Sequence, residues 1–260
     1  MTHLGVPSMH RARRVLTSVL ALTTTAVLGL VLAAPPASAR SDSLAGLWLM
    51  DEGSGQVAYD LSLNGNRGYL GSTSGVDAAD PSWVQLPRLL FFKRAALRFN
   101  GSQRVTVADA PTLEPDGVTL AARVRGTAGG RYRYVASKGS LACDWASYGM
   151  YTGASGGLMF YVSDGVNSTL SADAGTALWD GNWHTVVGAF DGTSVRLWVD
   201  GRPVGTAVPS TVRIRYDMPD GDDFLLGDYA GPCGGDSLGF VGDIDAAAVI
   251  GRYQANANLL

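Results

Sequence analysis

Glutamate is scarce in this 260-residue sequence, although acidic residues as a class are not. Only two of the 23 acidic residues are glutamates, Glu52 and Glu114, and they lie far apart along the chain. Hydrolysis of a glycosidic bond commonly uses two carboxyl groups that flank the bond. The two glutamates form no such local pair, so the composition argues against that kind of enzyme.

Histidine is also scarce, with three in the chain. Two of them, His3 and His10, fall in the first ten residues, which leaves His184 for the rest of the sequence. A zinc site built from several histidines is therefore excluded, and a Ser-His-Asp triad would have to use His184. We interpret His184 as a structural residue.

The first 39 residues have the composition of an export signal. A basic stretch around Arg13 precedes an uncharged apolar run from Val15 to Ala34, and Ala37-Ser38-Ala39 follows a pair of prolines. This order predicts a signal peptide, 1–39, that is cleaved after Ala39. The alternative is an uncleaved membrane anchor, because twenty apolar residues can span a bilayer.

Residues 40–260 are predicted to form one secreted domain that has no stable membrane insertion. Cleavage would remove three arginines and no acidic residue, leaving 17 basic against 23 acidic residues, so the net charge would change from −3 to −6. An acidic surface argues against binding of nucleic acid, which requires clustered basic residues. No internal repeat or low-complexity linker divides this part of the chain.

The two cysteines, Cys143 and Cys233, are predicted to form one disulfide bond. An even number of cysteines in an exported chain favours a disulfide. Both lie in loop-like sequence, so the bond would join two loops. A redox or metal-binding role would require a Cys-x-x-Cys spacing, which the sequence lacks.

The stretch from Trp179 to Arg202, WDGNWHTVVGAFDGTSVRLWVDGR, predicts an antiparallel β-meander. It contains three Asp-Gly pairs, which tolerate the positive φ angles of tight turns. The runs between them are apolar, β-branched and too short for helices. Strand-sized runs continue through the chain, including one at 211–216, whereas the passage 51–88 reads as loops. The pattern predicts an all-β sandwich or jelly roll.

The same stretch resembles the laminin-G-like domains of the concanavalin A-like lectin/glucanase superfamily. Similar motifs precede and follow it in the expected order: Gly46-Leu47-Trp48, Asp60 to Asn66, Leu97 to Gly101 and Phe240 to Asp245. The resemblance implies a single-domain, two-sheet antiparallel β-sandwich, the concanavalin A-like jelly roll. It does not imply one ligand, because lectins, glycosidases and adhesion modules share this fold.

The resemblance also raises the question of hydrolysis. Glycosidases of this superfamily carry a Glu-x-Asp-x-Glu or Glu-x-Asp-x-x-Glu motif on one strand, and this sequence lacks it. Asp243 and Asp245, which share one face of the last predicted strand, are the nearest analogue. We interpret them as structural or metal-associated.

Calcium is the cofactor that the resemblance implies. In the superfamily a structural Ca²⁺ often joins the N-terminal segment, an early loop and an aspartate on the last strand. The corresponding positions here are Asp51, Asn100, Gly101 and Asp245, and their oxygen atoms are of the kind that Ca²⁺ binds. The alternative is that these residues make only turn and cross-strand hydrogen bonds.

Aromatic residues near the cysteines suggest a carbohydrate-binding rim. These are Trp145, Tyr148, Tyr151 and Tyr229, which the proposed disulfide would bring together. We therefore expect a secreted, non-catalytic module that recognises a carbohydrate, with an extracellular glycan as its partner. The alternatives are a module that contacts a cell-surface protein or the cell envelope, and a polysaccharide hydrolase or lyase.

Overall fold

The computed structural model describes residues 44–89, 92–142, 144–229, 238–254 and 260, without the side chains of residues 88, 89, 92 and 93. All of them belong to one compact unit, 37–260. The predicted signal peptide and the predicted disulfide fall on residues outside this description. Among the described residues, no helix is both long and apolar enough to cross a membrane.

Two antiparallel sheets make up the molecule, as the sequence predicted. The nine-stranded sheet consists of β1 (Leu44–Trp48), β4 (Ser82–Leu89), β5 (Phe92–Asn100), β7 (Val118–Arg125), β12 (Trp183–Phe190), β13 (Ser194–Val199), β14 (Arg202–Pro203), β15 (Val208–Pro209) and β17 (Val241–Ile250). The eight-stranded sheet consists of β2 (Val57–Ala58), β3 (Gly68–Leu70), β6 (Val105–Val107), β8 (Tyr134–Lys138), β9 (Tyr148–Thr152), β10 (Leu158–Ser163), β11 (Ser168–Leu170) and β16 (Phe224–Leu226).

One short 3-10 helix, η1 (Pro111–Leu113), is the sole helical element of the described residues. The main path of the nine-stranded sheet runs β14-β13-β12-β7-β17-β5-β4, with β1 paired to β17 and β15 paired to β13. The eight-stranded sheet runs β11-β10-β9-β8-β16-β6-β3-β2. The last strand, β17, thus lies at the centre of its sheet, between β7 on one side and β1 and β5 on the other.

The predicted meander is present, and its turns have the expected backbone geometry. Strands β12 and β13 pair over five residues around the Asp191-Gly192 turn. At the next turn, between β13 and β14, Asp200 and Gly201 have φ angles of 50° and 72°. Two consecutive positive φ angles are what a tight hairpin turn requires, so aspartate followed by glycine permits this turn.

Two strand predictions differ from the structure. The passage 51–88, predicted as loops, contains β2, β3 and β4, and β4 includes Pro87 because an edge strand tolerates a missing N–H donor. The segment 211–216, predicted as a strand, is not paired with any other strand of the described residues. Its alternate residues Val212, Ile214 and Tyr216 pack against the core, so the apolar alternation reflects burial alone.

The core fills the space between the inner faces of the two sheets. Trp48 of β1 stacks on Phe224 of β16, with ring centroids 5.3 Å apart. Gly188 of β12 lies against Phe160 of β10, and a Cβ at position 188 would come within 2.1 Å of that ring. The sheets therefore approach closely here, and polar side chains of the nine-stranded sheet are left on its outer face.

Candidate functional site

Asp243 and Asp245 lie on the outer face of β17, on either side of the core residue Ile244. The register of β17 against β7 shifts between Ile244 and Ala246. Both carboxylates are nearly inaccessible to solvent, with 5% side-chain exposure each. The neighbouring strands β5 and β7 place arginines against both of them.

Asp243 is held by two guanidinium groups. Arg98 donates from Nε and Nη2 to the two carboxylate oxygens, at 2.8 and 3.1 Å. Arg125 donates from Nε and Nη2 to Oδ2, at 3.0 and 2.6 Å. Burial opposes ionisation of Asp243, but the hydrogen bonds and charges of both arginines outweigh it, and the pKa of this carboxyl lies below its ordinary value.

Asp245 is also paired with two arginines, but only through Oδ2. Arg94 donates to it from Nη2 at 3.1 Å, and Arg123 donates from Nη1. The other oxygen, Oδ1, is buried and has no hydrogen-bond partner in the described part of the chain. Burial raises the pKa of the Asp245 carboxyl, and the charges of Arg123 and Arg94 offset this only in part.

Trp183 of β12 extends this charged row. The guanidinium carbons of Arg123 and Arg125 lie 4.9 and 4.6 Å from the centroid of its ring, within the range of cation–π attraction. We use the name arginine–aspartate ladder for a set of six residues: Arg94, Arg98, Arg123, Arg125, Asp243 and Asp245. Trp183 covers its β7 side and is half-buried.

A cavity lies at each end of the ladder. The first, of about 300 Å³, is lined by Arg98, Arg125 and Asp243 together with Thr127, Gly181 and Gly242. The second, of about 400 Å³, is lined by Arg94, Arg123 and Asp245 together with Asp51, Leu49 and Leu260. Volumes of this size suit small ligands or single sugar units.

The predicted calcium residues come together only in part. Asp51 and Asp245 line the second cavity. Asn100 pairs with Val241 near the other end of the β5–β17 contact, and its side-chain oxygen accepts from Ser102 N and Oγ at 3.1 and 2.9 Å. Gly101 follows it there, at a φ of 97°.

These residues do not fit a calcium ion well. Ca²⁺ needs six to eight oxygen ligands, whereas Asp245 already binds two guanidinium groups that would repel a cation. Among the described residues, no group of three or more histidine, cysteine, aspartate or glutamate side chains is arranged to hold a metal ion. We derive no function through calcium.

The predicted aromatic rim is split between two faces of the eight-stranded sheet. Tyr151 and Tyr229 lie on the outer face, where they pack in one cluster with Trp145, Tyr134 and Tyr161. Tyr148 points to the core, where it is fully buried and donates to the carbonyl of Leu113 at 3.0 Å. The two faces follow from the odd spacing between positions 148 and 151, because side chains alternate along a strand.

The outer cluster is closely packed. Tyr134 and Tyr229 have ring centroids 4.8 Å apart, and Trp145 lies 5.0 Å from Tyr161. Tyr151 is 6% exposed, and its burial raises the pKa of the hydroxyl to about 12. Of the three predicted residues on the outer face, Trp145 is half-buried, whereas Tyr151 and Tyr229 are buried. The cluster is therefore mainly a small apolar core of its own rather than an open stacking platform.

His184, beside Trp183, is clamped by two aspartates. Its Nδ1 is 2.7 Å from Asp200 Oδ2, and its Nε2 is 3.1 Å from Asp180 Oδ1. Burial opposes protonation, but hydrogen bonds and charges of both carboxylates outweigh it and raise the pKa of the imidazole above its ordinary value. These contacts give His184 a structural role at the start of β12.

Sequence reasoning missed the four arginines of the ladder. The signal that could have found them is the spacing of Arg94 and Arg98, and of Arg123 and Arg125, at even intervals within strands. Even spacing places each pair on one face. Which strands lie beside β17 was not readable from the sequence, however, and neither was the register that pairs each arginine with its aspartate.

The fold defines a class, a two-sheet antiparallel β-sandwich, and two cavities lie on the outer face of its nine-stranded sheet. Residues 99–254 match the family model Laminin_G_3, described as the concanavalin A-like lectin/glucanases superfamily. Because the match covers more than half of the chain, the protein belongs to this family. No curated protein matches its sequence.

Solved structures share the fold at low sequence identity. Domain 4 of AbnA, an extracellular arabinanase of Geobacillus stearothermophilus solved with arabinotriose, has a TM-score of 0.57 at 13% identity, over 80% of this chain and 92% of that one. The Trypanosoma rangeli sialidase solved with sialic acid has a TM-score of 0.52 at 15% identity, over 82% of this chain but only 31% of that one. The fold is thus shared with glycan-binding and glycosidase proteins.

Proposed function

We propose that the protein is a secreted, non-catalytic carbohydrate-binding module. Its binding face is the arginine–aspartate ladder with Trp183. The observation that carries this proposal is the combination of fixed, planar guanidinium groups that line two cavities with an indole ring that packs against two of them. Sugar-binding sites need few polar groups in fixed positions, together with apolar or aromatic surface. Export rests on the predicted signal peptide.

The ladder is suited to sugar hydroxyl groups because its side chains are immobilised before a ligand arrives. Each carboxylate is held by two arginines, so little side-chain entropy remains to be lost on binding. The guanidinium groups offer donors to hydroxyl oxygens. Trp183 supplies a ring of the kind on which an apolar sugar face packs.

The pairing of both aspartates supports binding without hydrolysis. A glycosidase needs one carboxyl group that donates a proton and a second that attacks or activates water. Asp243 is ionised and fully engaged by Arg98 and Arg125. Asp245 has a raised pKa, but Arg94 and Arg123 stabilise its ionised form. A purified protein that releases sugar from a bound polysaccharide would favour the hydrolase alternative.

The test is binding of the full chain to a panel of immobilised polysaccharides. We expect retention on at least one glycan, with Trp183→Ala weakening it about three- to tenfold through loss of the ring contact. Trp183→Phe should retain part of the affinity. The control is Tyr59→Ala, which removes a 57% exposed aromatic side chain that lines neither cavity. A protein that binds no glycan, or a Trp183→Ala variant with unchanged affinity, would overturn this assignment.

A further inference from the structure

The ladder carries an excess of positive charge on an acidic protein. It holds four arginines against two aspartates, while the whole chain has a formal charge of −3. The arginine side chains are accessible to solvent, with exposed fractions of 56% for Arg98, 38% for Arg94, 29% for Arg125 and 25% for Arg123. An anionic ligand would therefore be attracted to this face and repelled elsewhere.

The two ends of the ladder differ in charge. Arg98, Arg125 and Asp243 line the first cavity, so its formal charge is +1. At the second cavity, Asp51 adds a further carboxylate to Arg94, Arg123 and Asp245, so the side-chain charges sum to zero. Asp180 precedes Gly181 of the first cavity, but its carboxylate is bound by Asn182 and His184. The excess charge is thus localised at the Arg98–Arg125 end.

Unused donors remain on both arginines at that end. Arg98 and Arg125 each bind Asp243 through Nε and Nη2. Within the described residues, Nη1 of each guanidinium has no hydrogen-bond partner. A guanidinium that retains one edge can form a two-point pair with a second carboxylate, an arrangement that lysine cannot reproduce.

We propose, on the basis of the carbohydrate-binding function above, that the ligand is an acidic glycan. A sugar carboxylate binds Arg98 and Arg125 in the first cavity. The hydroxyl groups of the adjoining sugar face the second cavity, where the partly exposed guanidinium groups of Arg94 and Arg123 donate to them. The ladder therefore fixes both the charge and the direction of the bound chain.

Calorimetric titration of the full chain tests the proposal with two acidic probes and their neutral counterparts. The probes are tri-galacturonate with its fully methyl-esterified form, and 3′-sialyllactose with lactose. A uronate within a chain and a terminal sialate each carry a carboxylate. The two pairs of probes show which of these acidic sugars the protein binds. We expect at least one acidic probe to bind about tenfold or more tightly than its neutral counterpart, with affinity falling as salt is raised.

Variants of Arg98 separate charge recognition from general sugar binding. Arg98→Gln should remove the preference for the acidic probe by weakening that probe more than the neutral one, and Arg98→Lys should restore the preference only in part. The control is Arg202→Gln, at an exposed arginine outside the ladder, and circular dichroism verifies folding. Equal affinities for acidic and neutral probes would overturn the acidic assignment while the carbohydrate-binding function stands. Failure to bind these probes and the whole polysaccharide panel would overturn both.

Discussion

Arg98 and Asp243 form a two-point ion pair across neighbouring strands, with Nε–Oδ1 and Nη2–Oδ2 distances of 2.8 and 3.1 Å. The strands are antiparallel, and Arg98 lies directly opposite Asp243 in their register. Arg125 lies opposite the same aspartate on the other side. One carboxylate therefore joins three adjacent strands through their side chains as well as their backbones.

Asp243→Asn should lower the free energy of unfolding by about 2–4 kcal/mol, because it leaves two guanidinium groups without a charged partner. Urea denaturation measures the change. Since the folded pKa of Asp243 is lowered, its contribution is complete above the ordinary aspartate pKa and is lost as the pH falls through the folded value. The difference from wild type should therefore shrink below about pH 4. Asp116→Asn, at an exposed aspartate, is the control and should change stability by less than about 0.5 kcal/mol.

His184 should make stability depend on pH near neutrality. Its folded pKa is raised above the ordinary histidine value of 6.5, so its contribution is complete below that value and is lost as the pH rises through the folded pKa. The effect should stay below about 1 kcal/mol because both partner carboxylates are about half exposed. Denaturation at several pH values, compared with His184→Gln, isolates this residue. If the free energy of unfolding depends on pH in the same way in both proteins, the contacts of His184 with Asp180 and Asp200 do not contribute to stability.

Calcium should leave the melting temperature unchanged. A site formed only in the folded state would raise stability by about 2.7 kcal/mol at a hundredfold excess of calcium over its Kd. Asp245 is already paired with Arg94 and Arg123, however, so we expect equal melting temperatures in calcium chloride and in EDTA. A rise of several degrees that is lost in Asp245→Asn would restore the calcium site that the sequence predicts.

The disulfide between Cys143 and Cys233 stays a prediction with a direct test. Trp145 and Leu238, which lie near the two cysteines in sequence, pack against the same tyrosine cluster, and this favours the pairing. Thiol labelling of the denatured, unreduced protein should give no signal, and labelling after reduction should give two thiols per chain. Two reactive thiols before reduction would exclude the bond.

Much of the fold was predictable because its turns carry local chemical signals. Asp200-Gly201 specifies a turn by its own conformational preferences, and the runs beside it specify strands. The ladder depends on register between segments far apart in sequence, such as Arg94 and Asp245, which are 151 positions apart. Local patterns carry no such information. The segment 211–216 was predicted as a strand from a local pattern and is not one, because alternating apolar residues can pack against the edge of a core without pairing with another strand.

The central position of β17 has a consequence for biosynthesis. This strand pairs with β1, β5 and β7 and supplies both carboxylates of the ladder. A nascent chain that ends before residue 241 therefore holds the arginines without their partners and leaves strand edges open to other chains. Neither the sheet nor the ladder can be completed before β17 has been synthesised, so the last step of folding follows synthesis of that strand.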